Sequence, residues 1–257
     1  MGKIYTIASG KGGVGKTTLT VNLGAAIADF GKEVIIIDAD LKMANVEILL
    51  NMASRPITLQ DVLAGHADIK DAIYEYEKLP NLKIVPAGLS LEGLRNINVG
   101  MLPEVIRSLR DAADIILIDT PPGLEEGFKF ALQTTDELIL VTMPTTESLA
   151  DTLKVKIITE RVGVPVLGAV VNMVHRDRME ISKEDIETVL ECKVLAEIPF
   201  DTEVKRAAAC YEPIVIRNPR SAAAEVIRKL AADLIGVKYE LERPRSLFSR
   251  LGSLFKR

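Results

Sequence analysis

The chain has 257 residues, 48% of them hydrophobic and 26% charged, and a formal net charge of −4; it is long enough for one α/β domain or two small ones with a large core. Tryptophan is absent and aromatics make up 4%, which argues against stacking platforms for single-stranded nucleic acid. Cys192 and Cys210 form no C-x-x-C pair, so a disulfide or zinc site is disfavoured and a reducing cytoplasm fits, while no run of about 18 apolar residues is present to span a membrane.

Ile4-Tyr5-Thr6-Ile7-Ala8 reads as a buried strand, and with a strand this early no signal peptide is expected. Gly10-Lys11-Gly12-Gly13-Val14-Gly15-Lys16-Thr17 follows and fits G-x-x-x-x-G-K-[ST], the phosphate-binding P-loop. Leu19, Leu23, Ala26 and Ile27 then recur at helical spacing, which predicts a helix over 17–30. Strand before and helix after is the context this motif needs. The glycines let the backbone turn its N–H groups around a polyphosphate in conformations a Cβ would resist, and the new helix points its positive end at the same anion. Lys16 is expected to reach the β- and γ-phosphates, and the Thr17 hydroxyl to ligate Mg²⁺. The expected nucleotide contacts are Gly10, Lys11, Gly12, Gly13, Val14, Gly15, Lys16, Thr17 and Thr18.

Val34-Ile35-Ile36-Ile37 reads as the second strand and ends in Asp38-Ala39-Asp40. Alternation puts both carboxylates on one side, at the carboxyl edge where doubly wound sheets bind ligands. Further strands are predicted over 82–85, 114–118, 138–142, 166–171 and 194–198, with helices over 59–64, 102–112, 126–133, 147–161, 183–190, 203–210 and 221–234. Such alternation predicts an α/β fold: a largely parallel twisted sheet with helices on both faces, in three layers. The strand Ile115-Ile116-Leu117-Ile118 ends in Asp119, the Walker B pattern in which the acid supports Mg²⁺. In Val170-Val171-Asn172-Met173-Val174-His175, His175 stands where a guanine site would want an acid, and the Asn172 amide can pair with the adenine edge.

One domain is expected to end near Val237, giving 1–237, with 243–257 as a separate tail. Pro244 breaks from the domain and Ser246 can cap a helix. Leu247, Phe248, Leu251, Leu254 and Phe255 then fall at i, i+1, i+4, i+7 and i+8 and make one apolar stripe. The tail holds five basic residues and no acid, which leaves residues 1–242 at −9 against the −4 of the whole chain. Apolar bulk beside Arg and Lys suits an anionic bilayer surface, and a helix this short is expected to form on binding rather than in water. A tail docked on its own domain is the alternative.

With Lys11 ahead of the usual P-loop lysine, the chain resembles the deviant Walker A ATPases of the MinD and ParA group, closest to the MinD branch. The resemblance covers residues 1 to about 235 and the tail, and it implies a slow, regulator-stimulated ATP hydrolase with ATP and Mg²⁺ as ligands. In that group the lysine matching Lys11 reaches across a homodimer interface to the partner's nucleotide. The acid matching Asp40 orients or activates the attacking water, the one matching Asp38 supports the metal shell, and an asparagine matching Asn172 meets the base. The catalytic set it implies is Lys11, Lys16 and Asp40, and the metal set Thr17, Asp38 and Asp119. Thr120-Pro121-Pro122-Gly123 resembles the group's switch II, Asn45 matches its switch I pattern, and Ile198-Pro199-Phe200-Asp201 resembles the loop beside its adenine. Asp151 aligns with an acid that meets regulators. There are two departures: Lys42 stands where many members have glycine, and Thr145 where many have glutamate, with Glu147 two residues on. The resemblance further implies an ATP-held dimer on the inner face of the cell membrane through residues 244–257, an unidentified protein regulator, and a role in positioning division or another polar structure. A flagellar-number regulator of the same branch and a ParA-like DNA-segregation ATPase are the alternatives. The acidic body argues against nucleic acid, and an iron–sulfur role needs paired thiolates that Cys192 and Cys210 do not supply.

Overall fold

Val34–Asp38 and Ile115–Asp119 are buried at every position, and Lys3–Ser9 at every position but its first. Strands covered on both faces need no polar alternation, and these three form the middle of the sheet. The computed structural model describes residues 1–239; the tail, residues 243–257, lies outside them. In chain order the strands are β1 (Lys3–Ser9), β2 (Val34–Asp38), β3 (Tyr74–Tyr76), β4 (Leu79–Val85), β5 (Ile115–Asp119), β6 (Glu137–Thr142), β7 (Val166–Val174) and β8 (Val194–Pro199). Among the described residues they form one eight-stranded sheet in the order β3-β4-β2-β5-β1-β6-β7-β8. Every pairing is parallel except the β3–β4 hairpin.

The α-helices are α1 (Lys16–Asp29), α2 (Val46–Leu49), α3 (Leu59–Leu63), α4 (Leu102–Ser108), α5 (Glu126–Leu132), α6 (Thr146–Arg161), α7 (Lys183–Leu190), α8 (Thr202–Ala209), α9 (Ile214–Arg217) and α10 (Ala222–Ile235). One face of the sheet presents Ile7, Ile36 and Leu117 to Leu23 and Ile27 of α1 and to Ile227 and Leu230 of α10. The other presents Ile35, Ile37, Ile116 and Ile118 to Leu59 and Leu63 of α3 and to Leu102 and Ile106 of α4. Further along that face Ala8, Leu140 and Val171 meet Phe128, Leu149, Val155 and Ile186 of α5, α6 and α7. The result is the expected three-layer P-loop α/β fold. No helix among the described residues is long and apolar enough to cross a membrane.

Three short elements escape the periodicity: β3, α2 and α9, of three or four residues each. β3 is an edge strand, and its pairing of Tyr76 with Leu79 draws Pro80 into β4, a position an edge-strand hairpin tolerates. The helix expected over 102–112 ends at Ser108, because the amides of Leu109, Arg110 and Ala112 bond three residues back and tighten the chain into turns.

Register is what positions the site. Asp119 lies opposite both Ile7 of β1 and Asp38 of β2. The chain runs from β1 out to β2, β4 and β5 on one side and then to β6, β7 and β8 on the other. Its direction therefore reverses at β1, and the crevice at such a reversal is where open α/β sheets bind ligands.

Candidate nucleotide site

The loop between β1 and α1 carries the P-loop residues, and its glycines have separate jobs. Gly13 and Gly15 have φ of 80° and 86°, in the left-handed region that a side chain resists. A Cβ on Gly15 would also fall 2.3 Å from Asn172 Nδ2. Gly10 takes no such φ, but a Cβ there would sit 2.2 Å from the Asp151 carbonyl carbon, so α6 packs directly on its backbone. Around Gly12 and Gly13 nothing lies within 4 Å of an added Cβ. The expectation that all four glycines adopt conformations a Cβ resists thus holds for Gly13 and Gly15; Gly10 answers to packing and Gly12 to open space.

Gly15 caps α1 with no side-chain hydrogen bond, and no acid occupies the first turn. The positive end of this 14-residue helix is therefore left for an outside anion. Lys16 is 7% exposed, and its Nζ lies 2.9 Å from Asp119 Oδ1. Thr17 Oγ1 donates to Asp119 Oδ2 at 2.7 Å, and Thr20 Oγ1 to Oδ1 at 2.9 Å. Spacing identified the first two partners. Thr20 was missed, since nothing but its i+4 offset from Lys16 on the same helix face signals it.

Asp38 is fully buried and accepts from three backbone N–H groups: Asp40 on Oδ1, and Asn45 and Val46 on Oδ2, each at 3.0 Å. It thereby shapes the loop that follows β2. Burial, and next the Asp119 charge, hold its carboxyl well above the ordinary range. Asp40 accepts from the Met43 N–H at 3.1 Å. Burial also raises its carboxyl, against the Met43 hydrogen bond and the Lys16 charge. One hydroxyl and two carboxylates, Thr17, Asp38 and Asp119, meet at this edge. Among the described residues no group of three or more His, Cys, Asp or Glu is placed to hold a metal. A donor set of one or two carboxylates completed by substrate phosphate is the one Mg²⁺ takes.

Lys11 is half-buried, and its carbonyl accepts from Ser9 Oγ at 3.0 Å. Asn172 donates from Nδ2 to the Val14 carbonyl at 2.8 Å, which leaves its second N–H and its oxygen for a base edge. Beside it lies a hollow of about 170 Å³ lined by Gly15, Thr18, Met173, Pro199 and Phe200. Phe200 is stacked by His175 with centroids 4.5 Å apart. Asp201 is spent on structure, accepting from Glu203 N and Ala223 N. Thr145 caps α6, its Oγ1 3.4 Å from Ser148 N; Glu147 sits in the first turn and Asp151 pairs with Lys154. Asn45 donates from its side chain to the Met43 carbonyl. Lys42 Nζ meets Glu125 Oε2 at 2.7 Å, a link between the β2–α2 loop and the segment before α5 that the sequence did not signal. Beneath it a cavity of about 280 Å³ is walled by Leu94, Ile97 and Val99.

A family model described as ParA, NUBPL iron-transfer P-loop NTPase, matches residues 1–235. An uncharacterized ATP-binding protein of Methanocaldococcus jannaschii is 44% identical over 250 residues, covering 97% of this chain and 94% of its own. The crystal structure of the cell division ATPase MinD of Pyrococcus furiosus superposes with a TM-score of 0.88 at 40% identity, over 92% of this chain and 99% of that one. The septum site-determining protein MinD of Pyrococcus horikoshii, solved with Mg-ADP, gives 0.87 at 38% over 91% and 96%. A P-loop, two strand-end acids and an asparagine brace on one sheet edge, in a chain this similar over its length, place the protein in the MinD/ParA family of P-loop NTPases, on the MinD side.

Proposed function

We propose that the protein is a MinD-like ATPase that cleaves ATP to ADP and phosphate slowly, until a protein regulator stimulates it. The observation that carries this is the meeting of Lys16, Thr17 and Asp119 within 3 Å at the switch-point edge of the sheet. The open backbone around Gly12 and Gly13 cradles the polyphosphate, helped by Gly10, Val14, Gly15 and the first-turn amides to Thr18. Lys16 binds the β- and γ-phosphates. Thr17 and Asp119, with Asp38 behind them, would hold Mg²⁺, which would supply positive charge to neutralise the developing negative charge on the phosphates. Asp40 orients the attacking water, and a carboxyl raised by burial is the better proton acceptor for it. Asn172 reads the adenine beside the P-loop, and Lys11 acts in trans across an ATP-held homodimer.

Residues 1–237 form the ATPase domain. The tail of residues 243–257 binds the inner face of the cell membrane, so that hydrolysis, by releasing the dimer, releases the protein. Such a cycle positions division or another polar structure. The test is a pair of variants. Lys16→Ala loses nucleotide binding, while Asp40→Ala keeps ATP but stops turning it over. Steady turnover by Asp40→Ala, or undiminished binding by Lys16→Ala, sinks the reading.

A further inference from the structure

Asp119 is 1% exposed and accepts from three side chains, of Lys16, Thr17 and Thr20. On the proposed ATP–Mg²⁺ reading, on which this inference rests, two of the three are redirected: Lys16 to phosphate and Thr17 to the cation. Thr20 is not. It is fully buried on α1, one turn past Lys16, beneath the mouth of the site. As a β-branched residue in a helix it has few χ1 choices. Its hydroxyl has a second acceptor, the Lys16 carbonyl at 3.1 Å, but one O–H serves one acceptor at a time, and an ionised carboxylate is the stronger of the two. A fully buried hydroxyl is costly unless bonded, so this position is set for a hydrogen bond rather than for packing alone.

We infer that Thr20 is a positioning residue: it keeps the Asp119 carboxylate aimed at the cation once Lys16 and Thr17 have turned to the nucleotide. Without that bond the carboxylate keeps its place on β5 but is free to swing about its terminal torsion. The loss falls on metal affinity, not on nucleotide affinity as such. Partners of this kind cost roughly 10-fold or more in metal affinity when removed.

The experiment is calorimetric titration of ADP into the full-length protein, in EDTA and across a Mg²⁺ series, for wild type, Thr20→Val and Thr20→Ser. In EDTA all three are expected to bind ADP within about 2-fold of one another. With Mg²⁺, the concentration giving half the gain in ADP affinity rises roughly 10-fold in Thr20→Val and returns to the wild-type value in Thr20→Ser. A Thr20→Val protein whose Mg²⁺ curve overlays the wild type overturns the role. So does a Thr20→Ser protein that fails like valine, since that assigns the effect to packing. If Thr20→Val does not fold, Thr20→Ala removes the hydroxyl without added bulk and carries the same comparison. Wild-type binding that ignores Mg²⁺ overturns this inference together with the nucleotide–metal reading beneath it; a responsive wild type beside an indifferent valine variant overturns this inference alone.

Discussion

Gly12 and Gly15 stand three residues apart in one loop, and a methyl group on each meets opposite conditions. At Gly15 it meets a left-handed backbone, costing about 1–2 kcal/mol, and the Asn172 amide at 2.3 Å. At Gly12 it meets nothing within 4 Å. Gly15→Ala is therefore expected to lower unfolding free energy by at least about 1–2 kcal/mol and to weaken ATP binding, while Gly12→Ala stays within about 0.5 kcal/mol of wild type. Urea titration of both, without nucleotide, decides; equal losses refute the distinction. The sequence made the P-loop legible because its spacing is local. It could not rank the glycines, because the atoms that discriminate among them come from α6 and β7, far along the chain. Thr20 was hidden for the same reason: its significance comes from Asp119, which only the β1–β5 register brings above it.

Among the elements, the seven strands that periodicity found are those with long apolar runs buried by helices. β3, α2 and α9 are too short to carry a period, and they exist because tertiary groups hold them. For α2 those groups are two acids. Asp38 accepts at its N-terminus, and Glu47, 1% exposed, accepts from the Ala87 and Gly88 N–H groups at 2.9 and 3.1 Å. Burial raises the Glu47 carboxyl above its ordinary 4.5, against those two hydrogen bonds. The native state therefore holds this proton to a higher pH than the unfolded chain does. Between 4.5 and the raised native value the native state binds more protons, so the contribution to stability grows as pH falls through that window and is lost as pH rises. Compared with Glu47→Gln, which does not titrate, the wild type should gain relative stability as pH is lowered from 7 toward 4.5 in nucleotide-free buffer. Urea midpoints at half-unit steps read it, and a relative loss on acidification contradicts it. The Lys42–Glu125 pair belongs to the same loop but is exposed at both ends, with 72% and 42% of the two side chains open to solvent. Solvent screens such an exposed pair, so Lys42→Ala should leave the fold intact, with any change confined to the salt dependence of turnover. A folding defect in that variant would show the pair to be structural.

At the level of the whole molecule, the placement of charge separates the readings. Residues 1–242 carry −9 and the tail +5, so on the proposed reading attraction to polyanions is expected at the last residues. In the tail, Leu247, Phe248, Leu251, Leu254 and Phe255 would share one apolar stripe if the segment were helical. Each would contribute roughly 1.5–3 kcal/mol if fully desolvated, and less at the shallow depth of an interface. Each basic residue adds about 1 kcal/mol near an anionic surface, weakening with salt. On the proposed reading one tail would bind modestly, and two tails held by an ATP dimer would bind far more tightly, because the second would meet the surface at the effective concentration set by the first. ATP with Mg²⁺ should thus increase co-sedimentation with anionic vesicles over neutral ones, and added salt should reverse it. Phe248→Glu, or deletion of residues 244–257, should abolish vesicle binding and leave ATP binding unchanged. The Lys11→Ala variant supplies the control for avidity. If that lysine acts across the dimer, its loss should leave the weak single-tail binding in place and remove the ATP-dependent gain. Full-length protein that ignores anionic vesicles with ATP and Mg²⁺ present would refute the membrane reading, and the stripe would then belong against the protein's own domain or a protein partner.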